Sequence, residues 1–175
     1  AIVLLAVVLG RAQEVQWNQQ AYTKATLFLG EGGPIEAYEY ARKLKDQKIG
    51  VVGSSEIIFG QYGFFGADLS NRVEFIGQQG PHGSLRLATS CRQFRRLINE
   101  GEYDYVIMSQ YTQDSRYSEY WYPIYAWVKK DPALEKVVEE PTISPQPDYV
   151  FRVKGKLSPD ECKPEPGEAA ESEPG

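Results

Sequence analysis

Histidine and cysteine are scarce in this sequence: His82 is the single histidine, and Cys91 and Cys162 are the two cysteines. A protein zinc site needs three or four closely placed ligands, and these cysteines form no C-x-x-C pair. A Ser–His–Asp triad would have to be built around His82, but the sequence has no G-x-S-x-G elbow to supply its serine. The composition therefore predicts no metal, no cofactor and no histidine-based catalysis.

An excess of positive charge is also absent, since the net charge is −5. Nucleic-acid interfaces need clustered lysine and arginine, so we expect no nucleic-acid partner. Residues 156–175 hold six acidic residues, four prolines and no aromatic residue. Because a segment of this composition cannot bury enough apolar surface to order itself, we expect a disordered acidic tail at 156–175.

The apolar run AIVLLAVVLG at residues 1–10 is about half of the roughly 20 residues that a membrane-spanning helix needs. Three interpretations are open: the end of a membrane helix, a signal-peptide remnant cleaved before Gln13, and a core strand of a cytosolic protein. The first two place the folded part outside the cytoplasm. We therefore divide the chain into 1–12, the end of a transmembrane helix or a signal-peptide remnant; 13–155, a single α/β domain; and 156–175, the tail.

What the sequence does contain is an alternation of strand-type and helix-type segments. Strands are predicted at 48–53, 71–77, 103–109 and 148–153, and the first and third are apolar nearly throughout, as strands covered on both faces are. This alternation predicts an α/β fold, a three-layer sandwich with a mostly parallel sheet of about four to five strands and Rossmann-like or flavodoxin-like topology.

Four helical segments accompany these strands. Helices are predicted for IEAYEYARKLKD after Pro34, for SCRQFRRLINEG, at 116–130, and for ALEKVVEE after Asp131-Pro132. The periodicity of the second places Phe94, Leu97 and Ile98 on one face and Arg92, Arg95 and Arg96 on the other. We therefore expect its three arginines to face solvent.

The strand ends are the candidate ligand site, because open α/β sheets bind ligands at the carboxyl ends of their strands. GVVGSS lacks both the dinucleotide fingerprint and the P-loop pattern, so the glycines predict a tight turn. If the strands at 48–53 and 103–109 are neighbours, the candidate ligand-binding residues are Gly53, Ser54, Ser55, Ser109, Gln110 and Tyr111. The glycine- and aromatic-rich segment 59–83 would cover this crevice, with His82 near its rim.

A dense aromatic run, SRYSEYWYPIYAWVKK at 115–130, has two interpretations. Tyr117, Trp121 and Tyr125 are candidates for stacking on sugar rings. Alternatively the run is core, with Trp121 and Trp127 buried against the sheet, because rings of this size bury much apolar area.

Four stretches carry a resemblance to a known family: GVVGSSEIIFGQYGFFGADLSNRVEFIG, CRQFRRLINEGEYDYVIMS, WVKKDPALEKVVEE and YVFRV. Together they resemble the C-terminal domain that follows the last membrane helix of bacterial multi-spanning GT-C class glycosyltransferases, the dolichyl-phosphate-mannose-protein mannosyltransferase-like membrane proteins. The resemblance covers about residues 45–153, and its most specific piece is G-x-D-L-S-N-R-V at 66–73.

The resemblance implies a domain on the extracytoplasmic side of a bacterial cell membrane, attached to the membrane through the N-terminal helix. In that family a polyprenyl-phosphate sugar is the donor, and the catalytic acidic residue lies in an early loop between membrane helices, so no catalytic residue can be placed on this chain. What remains is an accessory role, such as holding an acceptor glycan or polyprenyl-linked sugar, or a partner. The oxidising compartment also makes a Cys91–Cys162 disulfide a candidate, against which stands the disorder expected around Cys162.

Three function hypotheses follow. The first is a non-catalytic accessory domain of a membrane glycosyltransferase. The second is a secreted or anchored ligand-binding α/β module that acts alone. The third is a small soluble enzyme that uses the loop after Gly53.

Overall fold

A five-stranded sheet forms the centre of the computed structural model, which describes residues 9–13, 35–53, 61–109, 124–140 and 148–162. The strands are β1 (Lys48–Gly53), β2 (Arg72–Phe75), β3 (Gln78–Gln79), β4 (Leu85–Arg86), β5 (Tyr105–Ser109), β6 (Leu134–Glu140) and β7 (Asp148–Val153). The helices are α1 (Ile35–Arg42) and α2 (Cys91–Gly101), with further helical residues at 9–13 and 124–128. Short 3₁₀ turns lie at Gln61–Phe65, Pro81–Gly83 and Pro159–Glu161.

The sheet has the order β2-β1-β5-β7-β6, and β3 pairs with β4 in a separate hairpin. β1 runs parallel to both β2 and β5, whereas β7 runs antiparallel to both β5 and β6. The predicted α/β class and strand number are confirmed. The sheet is mixed, because β6 and β7 follow each other as an antiparallel pair where a parallel order would need a crossover.

The central strands are apolar throughout because both faces of the sheet are covered. Val106 and Met108 of β5 belong to one buried cluster, and Ile107, between them, belongs to a second. Successive strand residues point to opposite faces, so the two clusters lie on opposite sides of the sheet. Helix α2 contributes to the first cluster through Phe94 and Ile98, and α1 contributes to the second through buried alanines and Tyr38.

The helix predicted for ALEKVVEE is wrong, since these residues form strand β6. The strand pairs with β7 along its length, with a register shift between Lys136 and Val138. A helix of this length is marginal by itself, whereas β-branched Val137 and Val138 suit a strand and pack against the second cluster. The pairing also satisfies one edge of β7, so the tertiary contact outweighs the local helical preference.

The solvent-facing position expected for Arg95 is also wrong. Helix α2 begins and ends as predicted, and Ser90 caps it by accepting a hydrogen bond from the Gln93 amide at 3.3 Å. Arg92 and Arg96 are exposed, but the side chain of Arg95 is only 4% exposed. Arg95 can be buried because its guanidinium donates hydrogen bonds to a carboxylate and two backbone carbonyls, which are described below.

The ordered part of the chain continues beyond the expected boundary at residue 155. Residues 156–162 are described, Leu157 is 1% exposed, and Pro159–Glu161 forms a 3₁₀ turn. Composition predicted disorder from Lys156 because it could not anticipate that one leucine would enter the core. Residues 163–175 of the predicted tail lie outside the described residues.

Two other predicted segments are described only in part. Of the helix predicted at 116–130, residues 124–130 are described; 124–128 are helical, and 129 and 130 form a turn. At the N-terminus only 9–13 are described and helical, so residues 1–8 of the apolar run at 1–10 lie outside the described residues. Across the described ranges, no helix has the length and apolar character needed to cross a membrane.

The G-x-D-L-S-N-R-V segment connects neighbouring elements at the amino ends of β1 and β2. Asn71 is 3% exposed, and its amide donates to the carbonyls of Ala41 and Phe64 at 3.3 and 3.2 Å. Its side-chain oxygen accepts from the Gln47 amide at 3.1 Å. Gly66 has φ of +84°, a conformation that favours glycine. These residues therefore join α1, the Gln61–Phe65 turn and the sheet.

Asn71→Ala should lower the free energy of unfolding by about 3 kcal/mol, because the buried carbonyls of Ala41 and Phe64 each lose a donor and the Gln47 amide loses its acceptor. Arg72→Ala, whose side chain is 75% exposed, is the matched control in the same motif. Urea unfolding of both variants measures the effect. An equal, small decrease in the free energy of unfolding for both variants would show that the Asn71 side chain does not hold these elements together.

Candidate functional site

The carboxyl ends of β1 and β5 lie side by side at one edge of the sheet. Gly53 pairs with Ser109 and Val52 with Met108 in parallel register, which confirms that these two strands are neighbours. The chain leaving β2 joins them, because the Ile76 amide donates to the Val51 carbonyl at 2.9 Å. Three strand ends therefore meet where an open α/β sheet binds its ligands.

The structure brings together the backbones of two predicted site residues, Gly53 and Ser109. The other candidates at these strand ends, Ser54, Ser55, Gln110 and Tyr111, lie outside the described residues. Their assignment to the ligand site stays a prediction.

The segment 59–83, predicted to cover this crevice, is described from Gln61 onward and divides between the two edges of the sheet. Its first part packs at the amino end: the Gly66–Asn71 stretch precedes β2, and the Arg72 amide donates to the Gln47 carbonyl at 2.8 Å. Only the part after β2 lies at the carboxyl edge. The reason is that β2 itself runs through the segment and separates its two halves.

His82 lies at the tip of the β3–β4 hairpin, which follows directly from the carboxyl end of β2. It is exposed and adopts φ of +58°, a backbone region that non-glycine residues visit rarely. Gly80 permits the tip to fold tightly, since a Cβ there would lie 2.4 Å from Ser84 Oγ. The hairpin also exposes Leu85, so its tip presents an imidazole and an aliphatic side chain to solvent.

Tyr125 is a packing residue in this structure. Its ring stacks on Tyr149 with centroids 4.1 Å apart and an interplanar angle of 9°, and Lys129 Nζ lies 5.6 Å from its centroid. One ring face is therefore occupied by protein. Tyr117 and Trp121, the other candidates for sugar stacking, lie outside the described residues, and Trp127 is half-buried against Phe94.

Two buried tyrosines show how strongly the core excludes charge. Burial, followed by the interaction with Asp148, raises the pKa of Tyr38. Burial, followed by the hydrogen bond with Tyr125, raises the pKa of Tyr149. Both phenols are therefore kept neutral, and neither is placed to act as a base.

The cysteine pair is bonded: Cys91 and Cys162 form a disulfide with their Cα atoms 5.8 Å apart. Cys91 is the first residue of α2, and Cys162 follows the Pro159–Glu161 turn. The objection that Cys162 lies in a disordered segment fails, because the residues before it are fastened to α2.

The sequence reasoning missed a polar cluster beside this disulfide. Arg95 forms a buried ion pair with Asp131 and donates to the carbonyls of Ser158 at 2.7 Å and Trp127 at 2.8 Å. Asn99 exchanges two hydrogen bonds with the backbone of Leu157, each 2.9 Å long. The spacing C-x-x-x-R-x-x-x-N was the available signal, since it places Cys91, Arg95 and Asn99 on one helical face.

Within the described ranges, no group of three or more histidine, cysteine or acidic side chains is placed to hold a metal ion. No protein-family model, no curated protein and no solved structure matches this chain. The candidate site is accordingly defined by the geometry of the strand ends.

Tyr125→Ala should lower the free energy of unfolding by about 3 kcal/mol, because it removes the ring that covers Tyr149. Tyr125→Phe keeps the stacking and loses only the hydroxyl, so its effect should stay near 1 kcal/mol or below. Chemical denaturation of the two variants measures the difference. A stable alanine variant would show that the ring is dispensable for packing.

Stability should fall above about pH 10, the pKa of tyrosine in an unfolded chain. The raised pKa of folded Tyr38 means that the unfolded chain loses this proton first, so unfolding becomes easier as pH rises. Each such tyrosine contributes at most about 1.4 kcal/mol per pH unit. Urea unfolding across the alkaline range should show a shallower decline for Tyr38→Phe. An identical slope in the variant would refute this assignment.

Proposed function

We propose that this chain is a non-catalytic extracytoplasmic domain of a bacterial membrane-bound glycosyltransferase that uses a polyprenyl-phosphate sugar. Its role is to hold an acceptor glycan or a partner near the membrane-embedded catalytic part. The disulfide between Cys91 and Cys162 is the observation that supports an extracytoplasmic location, because such bridges form and persist in oxidising compartments. The resemblance of residues 45–153 to the C-terminal domains of these enzymes supports the parent activity.

The finer fold belongs to the same proposal. A three-layer α/β sandwich with Rossmann-like or flavodoxin-like topology is supported by the parallel β2-β1-β5 half of the sheet and by buried clusters on both of its faces. The antiparallel β6–β7 pair then extends this half at one side. Such sheets bind ligands at the carboxyl edge, which favours the strand ends at Gly53 and Ser109 as the contact for a glycan.

A stand-alone ligand-binding module is the second candidate, favoured by the same three strand ends. The two candidates differ in what precedes Ala1 in the natural reading frame. Eight or more hydrophobic spans there would support the glycosyltransferase, and a single short one would refute it.

The location is tested on the protein recovered from the bacterial envelope without reduction. After denaturation in the presence of an alkylating reagent, the intact mass should show no alkylated cysteine. A Cys91→Ser variant is the control, since its remaining Cys162 must take up one label. Two labels on the unaltered protein would rule out the disulfide and with it the main support for an extracytoplasmic location.

The binding role is tested by a glycan array and by thermal shift with sugars and nucleotides, using the full chain. Ser109→Leu should weaken the binding of any glycan by about tenfold or more, because Ser109 pairs with Gly53 where the parallel strands end. Arg152→Leu is the control, since this exposed residue pairs with Tyr105 at the other end of β5. Binding unaffected by Ser109→Leu would exclude this edge, and a response to nucleotides alone would favour the small-enzyme hypothesis.

A further inference from the structure

The C-terminal segment Leu157–Cys162, here called the strap, runs along helix α2 and is fastened by three of its side chains. Cys91, Arg95 and Asn99 are four residues apart and therefore lie on one face of the helix. Asn99 holds Leu157, Arg95 holds Ser158 and Glu161, and Cys91 is bonded to Cys162. The strap thus runs antiparallel to α2.

The first half of the strap is held without the disulfide. Leu157 is buried, and its backbone exchanges hydrogen bonds with the Asn99 side chain in both directions, at 2.9 Å each. The neighbouring Ser158 carbonyl accepts from Arg95 Nη1 at 2.7 Å. These contacts combine apolar burial with a charge-assisted hydrogen bond, so they persist whether or not the cysteines are bonded.

The second half is fastened differently. Residues 159–161 are exposed, and their turn is closed by long hydrogen bonds, from the Glu161 amide to the Ser158 carbonyl at 3.4 Å and from the Cys162 amide to the Pro159 carbonyl at 3.2 Å. The half-exposed Glu161 carboxylate lies 3.6 Å from Arg95, a weak attachment. The disulfide is therefore the main bond that fixes this half to α2.

The strap contacts the buried ion pair between Arg95 and Asp131 through Ser158 and Glu161. Partial exposure of this pair to water should cost little free energy, for the following reason. The side chains of Arg95 and Asp131 are 4% and 2% exposed, so both ions have lost most of their hydration. Among the described residues, Arg95 Nε is a buried nitrogen without a hydrogen-bond partner. Opening the strap would let water reach this guanidinium, and the hydration would offset part of the contacts that are lost.

We propose that the strap is a redox-controlled latch. With the disulfide formed, the strap covers the Arg95–Asp131 pair. When a dithiol reduces the disulfide, residues 159–162 detach while Leu157 and Ser158 stay docked. Helix α2 ends at Gly101, close in sequence to the start of β5 at Tyr105, so Cys91 and the latch lie at the opposite end of the helix.

The reduction is an ordinary thiol–disulfide exchange. A thiolate of the dithiol attacks the sulfur of Cys162, a partly exposed residue, and the Cys162–Cys91 bond breaks to release Cys91 as a thiolate, which then takes up a proton. The attack falls on Cys162 because Cys91 is buried, at 4% exposure, and is less accessible to the dithiol. The second thiol of the dithiol then displaces Cys162, so two electrons pass to the protein and the dithiol becomes a disulfide.

Amide hydrogen exchange of the full chain, resolved by NMR, tests the latch with and without excess dithiothreitol. Reduction should accelerate exchange at Glu161 and Cys162 by about tenfold or more and leave Leu157 within about twofold, because only the second half is released. Unchanged exchange at Cys162 would overturn the proposal, and so would a parallel rise at Leu157.

Variants separate the two halves of the strap. Cys91→Ser with Cys162→Ser should show the reduced pattern at all times, without any response to the dithiol. Asn99→Ala removes the acceptor of the Leu157 amide, so it should accelerate exchange at Leu157 in both redox states and leave Cys162 protected while the disulfide is intact. Arg96→Ala, at an exposed neighbouring position, is the matched control. If Asn99→Ala proves too unstable, the double serine variant alone decides, since loss of protection at Leu157 in that protein would contradict the independent docking of the first half. The exchange measurement requires no glycan and no membrane, so its failure is distinguishable from failure of the proposed function.

Discussion

The guanidinium of Arg95 imposes the strictest constraint on this fold. It carries a positive charge and is almost completely buried, so its partners must be supplied by the protein. Those partners come from separate parts of the chain: the Asp131 carboxylate, the Trp127 carbonyl and the Ser158 carbonyl. Helix α2, the segment before β6 and the docked first half of the strap must therefore be in place together, because any one of them missing would leave a buried charge poorly paired.

The consequences reach both the sheet and the C-terminus. Asp131 also accepts from the Ala133 amide at 2.8 Å, which fixes the turn from which β6 starts. Ser158 follows Leu157, whose side chain completes the buried cluster on the α2 side of the sheet. The cluster in turn contains Met108 of β5, the strand whose carboxyl end forms part of the candidate ligand edge. The buried Arg95 is thus connected through Ser158, Leu157 and the shared apolar cluster to β5, whose carboxyl end forms part of the candidate ligand edge.

The candidate site and the strap represent two different uses of the same scaffold. The strand ends are positioned by parallel pairing, which depends on apolar strands covered on both faces. The strap is positioned by side chains at four-residue spacing on α2, a helix whose start is defined by the Ser90 cap. A rigid sheet edge suits the binding of a ligand, and a segment held half by hydrogen bonds and half by a disulfide suits a response to redox conditions.

The sequence by itself determined the features that depend on local patterns. Strands β1 and β5 are continuous apolar runs, and α2 lies between a serine cap and Gly101, so period and capping identified them with nearly correct bounds. The adjacency of Gly53 and Ser109 was only a condition of the ligand-site prediction, and the tertiary structure supplied it. Only the tertiary structure decided that 134–140 is a strand, that Arg95 is buried and that Cys162 lies beside Cys91. Each of these depends on a partner distant in the chain, and a neighbouring strand, a carboxylate or a docked leucine outweighs a local preference of a few tenths of a kcal/mol per residue.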